Sequence, residues 1–150
     1  MYPPIKPHGR QPATLNREGV RGIVRELIRP VGIVMSGILI FIAATGFGVW
    51  AAAVNPHFSV SVRLQPETGH RVCAKGPYRL VRHPGYAGLI FGALAVPLVL
   101  GSWWALIPAG EMTVLAIFRT AMEDRTLKRE LLGYTEYTRL TRYRLMPLLW

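Results

Sequence analysis

The chain has 150 residues, the size of one domain, and 51% of them are hydrophobic, yet 18 Lys and Arg against 8 Asp and Glu leave a formal net charge of +10. That balance excludes a disordered or low-complexity chain, and the single cysteine, Cys73, excludes a disulfide scaffold and a cysteine-based zinc site. The charges are sorted rather than dispersed, with two long stretches almost free of them.

Residues 1–15, with four prolines, read as disordered. Val20, Val24, Leu27 and Val31 then recur at helical spacing opposite Arg21, Arg25 and Arg29, which predicts a helix over 16–30 lying in the membrane interface. Residues 31–54 follow as 24 residues without an ionisable side chain, ~36 Å of helix and enough for a ~30 Å hydrocarbon core. A cleaved signal peptide is the rival for this run, since Ala51 to Ala53 loosely resembles a cleavage site, but the run exceeds the ~7–15 residues of a signal core.

The segment 55–85 ends in Lys75-Gly76-Pro77-Tyr78-Arg79-Leu80-Val81-Arg82-His83-Pro84-Gly85-Tyr86. Gly76-Pro77 predicts a turn, and Pro84 suits the first position of a helix because its missing N–H costs nothing there. The positive end of that helix, with Arg82 and Arg79 beside it, reads as a site for a carboxylate or another anion, although ordinary membrane flanking accounts for the same residues. The next apolar stretch, 86–118, is 33 residues with Glu111 as its only charge and would overshoot the bilayer as one helix. It is predicted to fold back at Gly101-Ser102, giving helices over 86–100 and 103–118 with Trp103 and Trp104 in the interfacial belt. Gly88 and Gly92 are spaced for a close helix approach.

Beyond the hairpin, Arg119, Glu123 and Leu127 fall at i, i+4 and i+8 and share one helical face on the side of the membrane where His83 opens its helix. Gly133-Tyr134-x-Glu136-Tyr137 and an arginine-rich tail lead to an apolar cap over 145–150, read as an interfacial return or a lid. With three crossings, the 55–85 segment and the tail share one side and carry twelve basic residues against the six of residues 1–30, which favours a cytoplasmic site. Because the basic residues flank apolar runs, nucleic acid is not an expected partner. No nucleophile triad or phosphate loop stands out, and His8, His57, His70 and His83 have no helical metal spacing, so no metal is expected.

Taken together, Gly76-Pro77-Tyr78-Arg79-x-x-Arg82-His83-Pro84-x-Tyr86-x-Gly88, a helical hairpin, Arg119-x3-Glu123-x3-Leu127 and Gly133-Tyr134-x-Glu136-Tyr137 resemble the isoprenylcysteine carboxyl methyltransferases, integral-membrane enzymes related to phospholipid N-methyltransferases. The resemblance covers about residues 55–150. Together with the apolar runs it gives one membrane methyltransferase domain over 1–150, all-α, with spans 31–54, 86–100 and 103–118, and it implies a cytoplasmic C-terminal helix completing a site for S-adenosylmethionine. Position by position it implies cofactor contacts at His70, Arg71, Val72 and Cys73, at Tyr78, His83, Pro84, Gly85 and Tyr86, and at Glu123, with Arg119 orienting the acceptor and His83 as a further catalytic candidate. The implied partners are membrane lipids and a lipophilic or prenylated acceptor, with an oligomer open, and the implied location is an integral membrane protein, in the inner membrane if bacterial. One clear span before the loop, where larger members have several, leaves the acceptor open. An NADPH-dependent membrane reductase with a similar Arg-His-Pro-x-Tyr segment, and a non-catalytic anchor subunit, remain as alternatives.

Overall fold

The computed structural model describes residues 17–56, 72–147 and 150, and the expected disorder over 1–15 lies outside these. Among the described residues four α-helices follow one another: α1 (Arg17–Val54), α2 (Pro84–Leu100), α3 (Leu106–Glu130) and α4 (Tyr134–Leu140). The chain divides into two units, residues 1–32 and 33–150, and everything that forms the site belongs to the second.

The expected interfacial helix and first span are not separate elements, because α1 continues through Pro30. An internal proline removes one backbone hydrogen bond, and the helix-forming pattern on either side carries the helix across it. Two stretches are long and apolar enough to cross a membrane, Ile28–Val54 and Trp103–Glu130, while Pro84–Leu100 is apolar but shorter. At 17 residues α2 is ~25 Å long, less than a typical hydrocarbon core. The hairpin forms as expected: Gly101 caps α2 in the left-handed region at φ 59°, and a short 3-10 turn over Trp103–Ala105 feeds α3, which packs on α2. The helix expected over 103–118 runs on to Glu130, so that Arg119 and Glu123 stand on a continuous scaffold.

α1 and α2 meet through small residues. A Cβ added at Gly88 would stand 2.7 Å from the carbonyl oxygen of Ala44, and one at Gly37 would stand 2.8 Å from the Cβ of Leu98. At Gly92 the nearest atom would be 4.0 Å away, so of the expected glycine pair Gly88 alone is needed for the approach. The outward faces carry exposed Leu39, Ile42 and Val49 on α1 and Val114, Leu115 and Phe118 on α3, an apolar surface that suits lipid rather than water.

After α3, Gly133 takes φ 82° and turns the chain into α4, which packs back on α3. A small core gathers Ala51, Tyr78, Tyr134 and Tyr137, with Val54, Cys73, Leu127 and Leu131 against it. The tail then returns beside the start of α2: the Arg82 and His83 N–H groups donate to the Tyr143 and Arg144 carbonyls, each at 2.9 Å.

Candidate functional site

Two side-chain systems meet where α2 begins and α3 leaves its apolar run. The first is half-open. Arg119 Nε donates to the Tyr86 hydroxyl at 2.7 Å, and that hydroxyl donates to Glu123 Oε2 at 2.9 Å. Three residues singled out in the sequence, from segments more than thirty positions apart, thus form one chain: Tyr86 lies in the first turn of α2, and Arg119 and Glu123 share a face of α3 because they are four residues apart. Arg119 is exposed, while Tyr86 and Glu123 are half-buried.

The second system is closed and centres on Asp124, which is 0% exposed. Its Oδ1 accepts from Arg82 Nη1 at 2.7 Å and from the Tyr134 hydroxyl at 3.0 Å, with His83 Nε2 at 3.5 Å. Its Oδ2 accepts from Arg144 Nε at 3.1 Å and lies 3.3 Å from Lys128 Nζ. A carboxylate taken out of water is tolerable only when its lone pairs are filled, and here two guanidinium groups, the Lys128 side chain and a phenol surround them. The expected anion beside Arg82 is therefore the chain's own. Arg82 holds Asp124 with one nitrogen and the Arg142 carbonyl, at 3.1 Å, with another, while its Nε is buried with no partner. Arg79, the other arginine expected there, is exposed.

The remaining expected residues are distributed around these systems. Val72 and Cys73 pack on the small core, where the Cys73 thiol donates to the Val54 carbonyl at 3.5 Å. Tyr78 is buried in that core, and its hydroxyl accepts from Asn55 at 3.2 Å. Its carbonyl accepts from the Tyr137 hydroxyl at 2.6 Å and from Thr141 Oγ1 at 3.2 Å. Burial pushes the phenols of Tyr78, Tyr134 and Tyr137 up, the last to about 12, so all three keep their protons. Pro84 is buried and Gly85 partly so, while His70 and Arg71 lie outside the described residues. The apolar cap expected over 145–150 is in part a turn: the Arg144 and Leu145 N–H groups both donate to the Trp150 carbonyl oxygen, and the Arg144 guanidinium sits 4.7 Å from the centre of the Trp150 ring.

Asp124 was not expected as a site residue, nor was Tyr134 given a role beyond its place in the tail motif. The available signal was weak. Asp124 and Lys128 read as a surface i,i+4 pair, and only the return of Tyr134 and Arg144 over α3 encloses them. Among the described residues no group of three or more His, Cys, Asp or Glu is placed to hold a metal ion.

The regular elements among the described residues are helical, two of the helices are long and apolar enough to cross a membrane, and a polar cluster gathers where α2 begins and α3 leaves its apolar run. Residues 35–129, more than half of the chain, match the model of the isoprenylcysteine carboxyl methyltransferase family, and the chain belongs to that family of membrane methyltransferases. No solved structure matches it.

Proposed function

We propose that the protein transfers a methyl group from S-adenosylmethionine to a carboxylate or amine of a lipid-soluble acceptor at the cytoplasmic boundary of the membrane. The observation that carries the reading, beside the family, is the Arg119–Tyr86–Glu123 chain, which joins the residue expected to meet the acceptor to two expected to meet the cofactor. The donor set fits the cofactor: a half-buried carboxylate beside an aromatic ring is suited to a sulfonium or ammonium cation. The sulfonium supplies an already activated methyl group, so the protein's share is alignment and exclusion of water.

Glu123 and Tyr86 hold the cationic portion of the cofactor, with His83, Pro84 and Gly85 beside them at the start of α2. The remaining cofactor contacts implied by the resemblance are His70, Arg71, Val72, Cys73 and Tyr78. Arg119 binds and orients the acceptor. A guanidinium is always charged and matches a carboxylate as a hydrogen-bonding fork, so its task is to aim an oxygen rather than to take a proton. A carboxylate acceptor needs no deprotonation at neutral pH. His83 serves as a base only when the acceptor is an amine.

The test is transfer of labelled methyl from S-adenosylmethionine to a lipid extract by the protein in nanodiscs, with cofactor binding followed by calorimetry. Glu123→Ala is expected to lose cofactor binding, and Arg119→Ala to keep binding and lose transfer. NADPH binding in place of S-adenosylmethionine points to the reductase alternative, and binding of neither, with loop Arg-to-Lys exchanges all tolerated, to the anchor.

A further inference from the structure

Asp124 and Tyr134 lie behind His83 and do not enter the reading above. The Tyr134 hydroxyl is 3.0 Å from Asp124 Oδ1 and 3.3 Å from His83 Nε2, and the residues are closed off at 0%, 3% and 5% exposure for Asp124, Tyr134 and His83. A phenol has one proton to give. Of its two neighbours the carboxylate is both nearer and the stronger acceptor, because a hydrogen bond to an ionised oxygen is charge-assisted. The proton therefore goes to Asp124, and the Tyr134 oxygen faces Nε2 with lone pairs. A bare Nε2 would set lone pair against lone pair among buried groups. An Nε2–H turns the same contact into a hydrogen bond, and Asp124 Oδ1 at 3.5 Å favours a hydrogen on that side further.

We infer that Tyr134 and Asp124 are positioning residues that hold the His83 ring with its hydrogen on Nε2 and leave the ring's lone pair on Nδ1. Arg82, Lys128 and Arg144 surround Asp124 with positive charge besides the ring. Tyr134 can sustain its donation because burial, and then the adjacent carboxylate, push its phenol up. Nδ1 has no hydrogen-bond partner among the described residues. A lone pair there accepts from an N–H or O–H donor and repels a carboxylate. On the methyltransferase reading, on which this last step rests, His83 meets an ammonium or amine and leaves the carboxylate to Arg119. An outer residue that fixes which imidazole nitrogen is bare is how a histidine is given one chemical sense.

The experiment is nitrogen NMR on the full-length protein in nanodiscs, carrying 15N-labelled histidine, at neutral pH without cofactor, with His83→Gln used to assign the signal. The expected spectrum has a protonated, pyrrole-type Nε2 and a bare, pyridine-type Nδ1. In Tyr134→Phe, which keeps the ring packed against Tyr137 at 5.6 Å, the pattern is expected to relax toward a mixture containing the Nδ1–H form. The near-isosteric Asp124→Asn is expected to shift it the same way. A proton on Nδ1 in the wild type, protons on both nitrogens, or an unchanged pattern in both variants overturns the inference. Calorimetry with S-adenosylmethionine on the same preparation judges the methyltransferase reading separately, because the tautomer is fixed by the protein alone.

Discussion

Along α1 and the α2–α3 hairpin, large side chains such as Leu39, Ile42, Val114 and Phe118 face outward, and the backbones meet through Gly37, Ala44 and Gly88. At the boundary a few residues away the arrangement is reversed: Arg82, His83, Asp124 and Tyr134 are buried and bonded to one another. The contrast follows from the solvent. Lipid gives apolar side chains no reason to hide, so helices associate by close contact of small residues. Where the chain leaves the apolar run, its remaining backbone and charged groups need partners, and a dense polar cluster supplies them.

Removing the hub should break the polar region most severely. Asp124→Ala leaves Arg82 buried without its carboxylate, and a loss of about 3–5 kcal/mol in folding free energy is expected, measured by denaturant unfolding in detergent. A loss below about 1 kcal/mol would mean that the cluster is solvated and only loosely coupled. The apolar region should respond to volume instead. Gly88→Val places atoms against the Ala44 carbonyl and is expected to cost about 1–3 kcal/mol, whereas Gly92→Ala, with its nearest neighbour at 4.0 Å, should be nearly neutral. Equal effects at the two positions would refute the close approach at Gly88.

The smallest effect concerns pH. Burial moves the Tyr137 phenol from 10.0 to about 12. Its folded pKa is raised, so the stability that this burial contributes is fully present below about pH 10 and is lost as the pH rises toward 12. Tyr137→Phe, which removes the 2.6 Å hydrogen bond to the Tyr78 carbonyl, should cost about 1 kcal/mol at neutral pH. It should also flatten the alkaline fall, read from unfolding midpoints across pH 9–12. An alkaline limb identical to wild type would show that Tyr137 is not responsible for it.

Local pattern reaches a long way in this chain. The turn at Gly101, the helix start at Pro84 and the shared face of Arg119 and Glu123 follow from residue types and from a spacing of 3.6, and each is present. Pattern fails where the meaning of a residue depends on what returns to it. Arg82 and Arg79 have the same charge and stand three positions apart, but one is enclosed by Asp124 and the Arg142 carbonyl and the other is exposed. Likewise the boundary expected between an interfacial helix over 16–30 and a span over 31–54 is not made, since α1 runs through Pro30.

By itself the sequence determined the all-helical membrane class, the hairpin and the Arg119 and Glu123 face, because exclusion of charge from lipid and helical periodicity are properties of consecutive residues. It also carried the family, through motifs at fixed spacing. Only the tertiary structure decided that the charge hub is Asp124, that Arg82 is already satisfied, and that Tyr134 backs His83. Those outcomes depend on the tail crossing back over α3 to bring together groups up to about sixty positions apart, as between Arg82 and Arg142. No local preference sets how a buried carboxylate shares its partners; the enclosure that excludes water sets it.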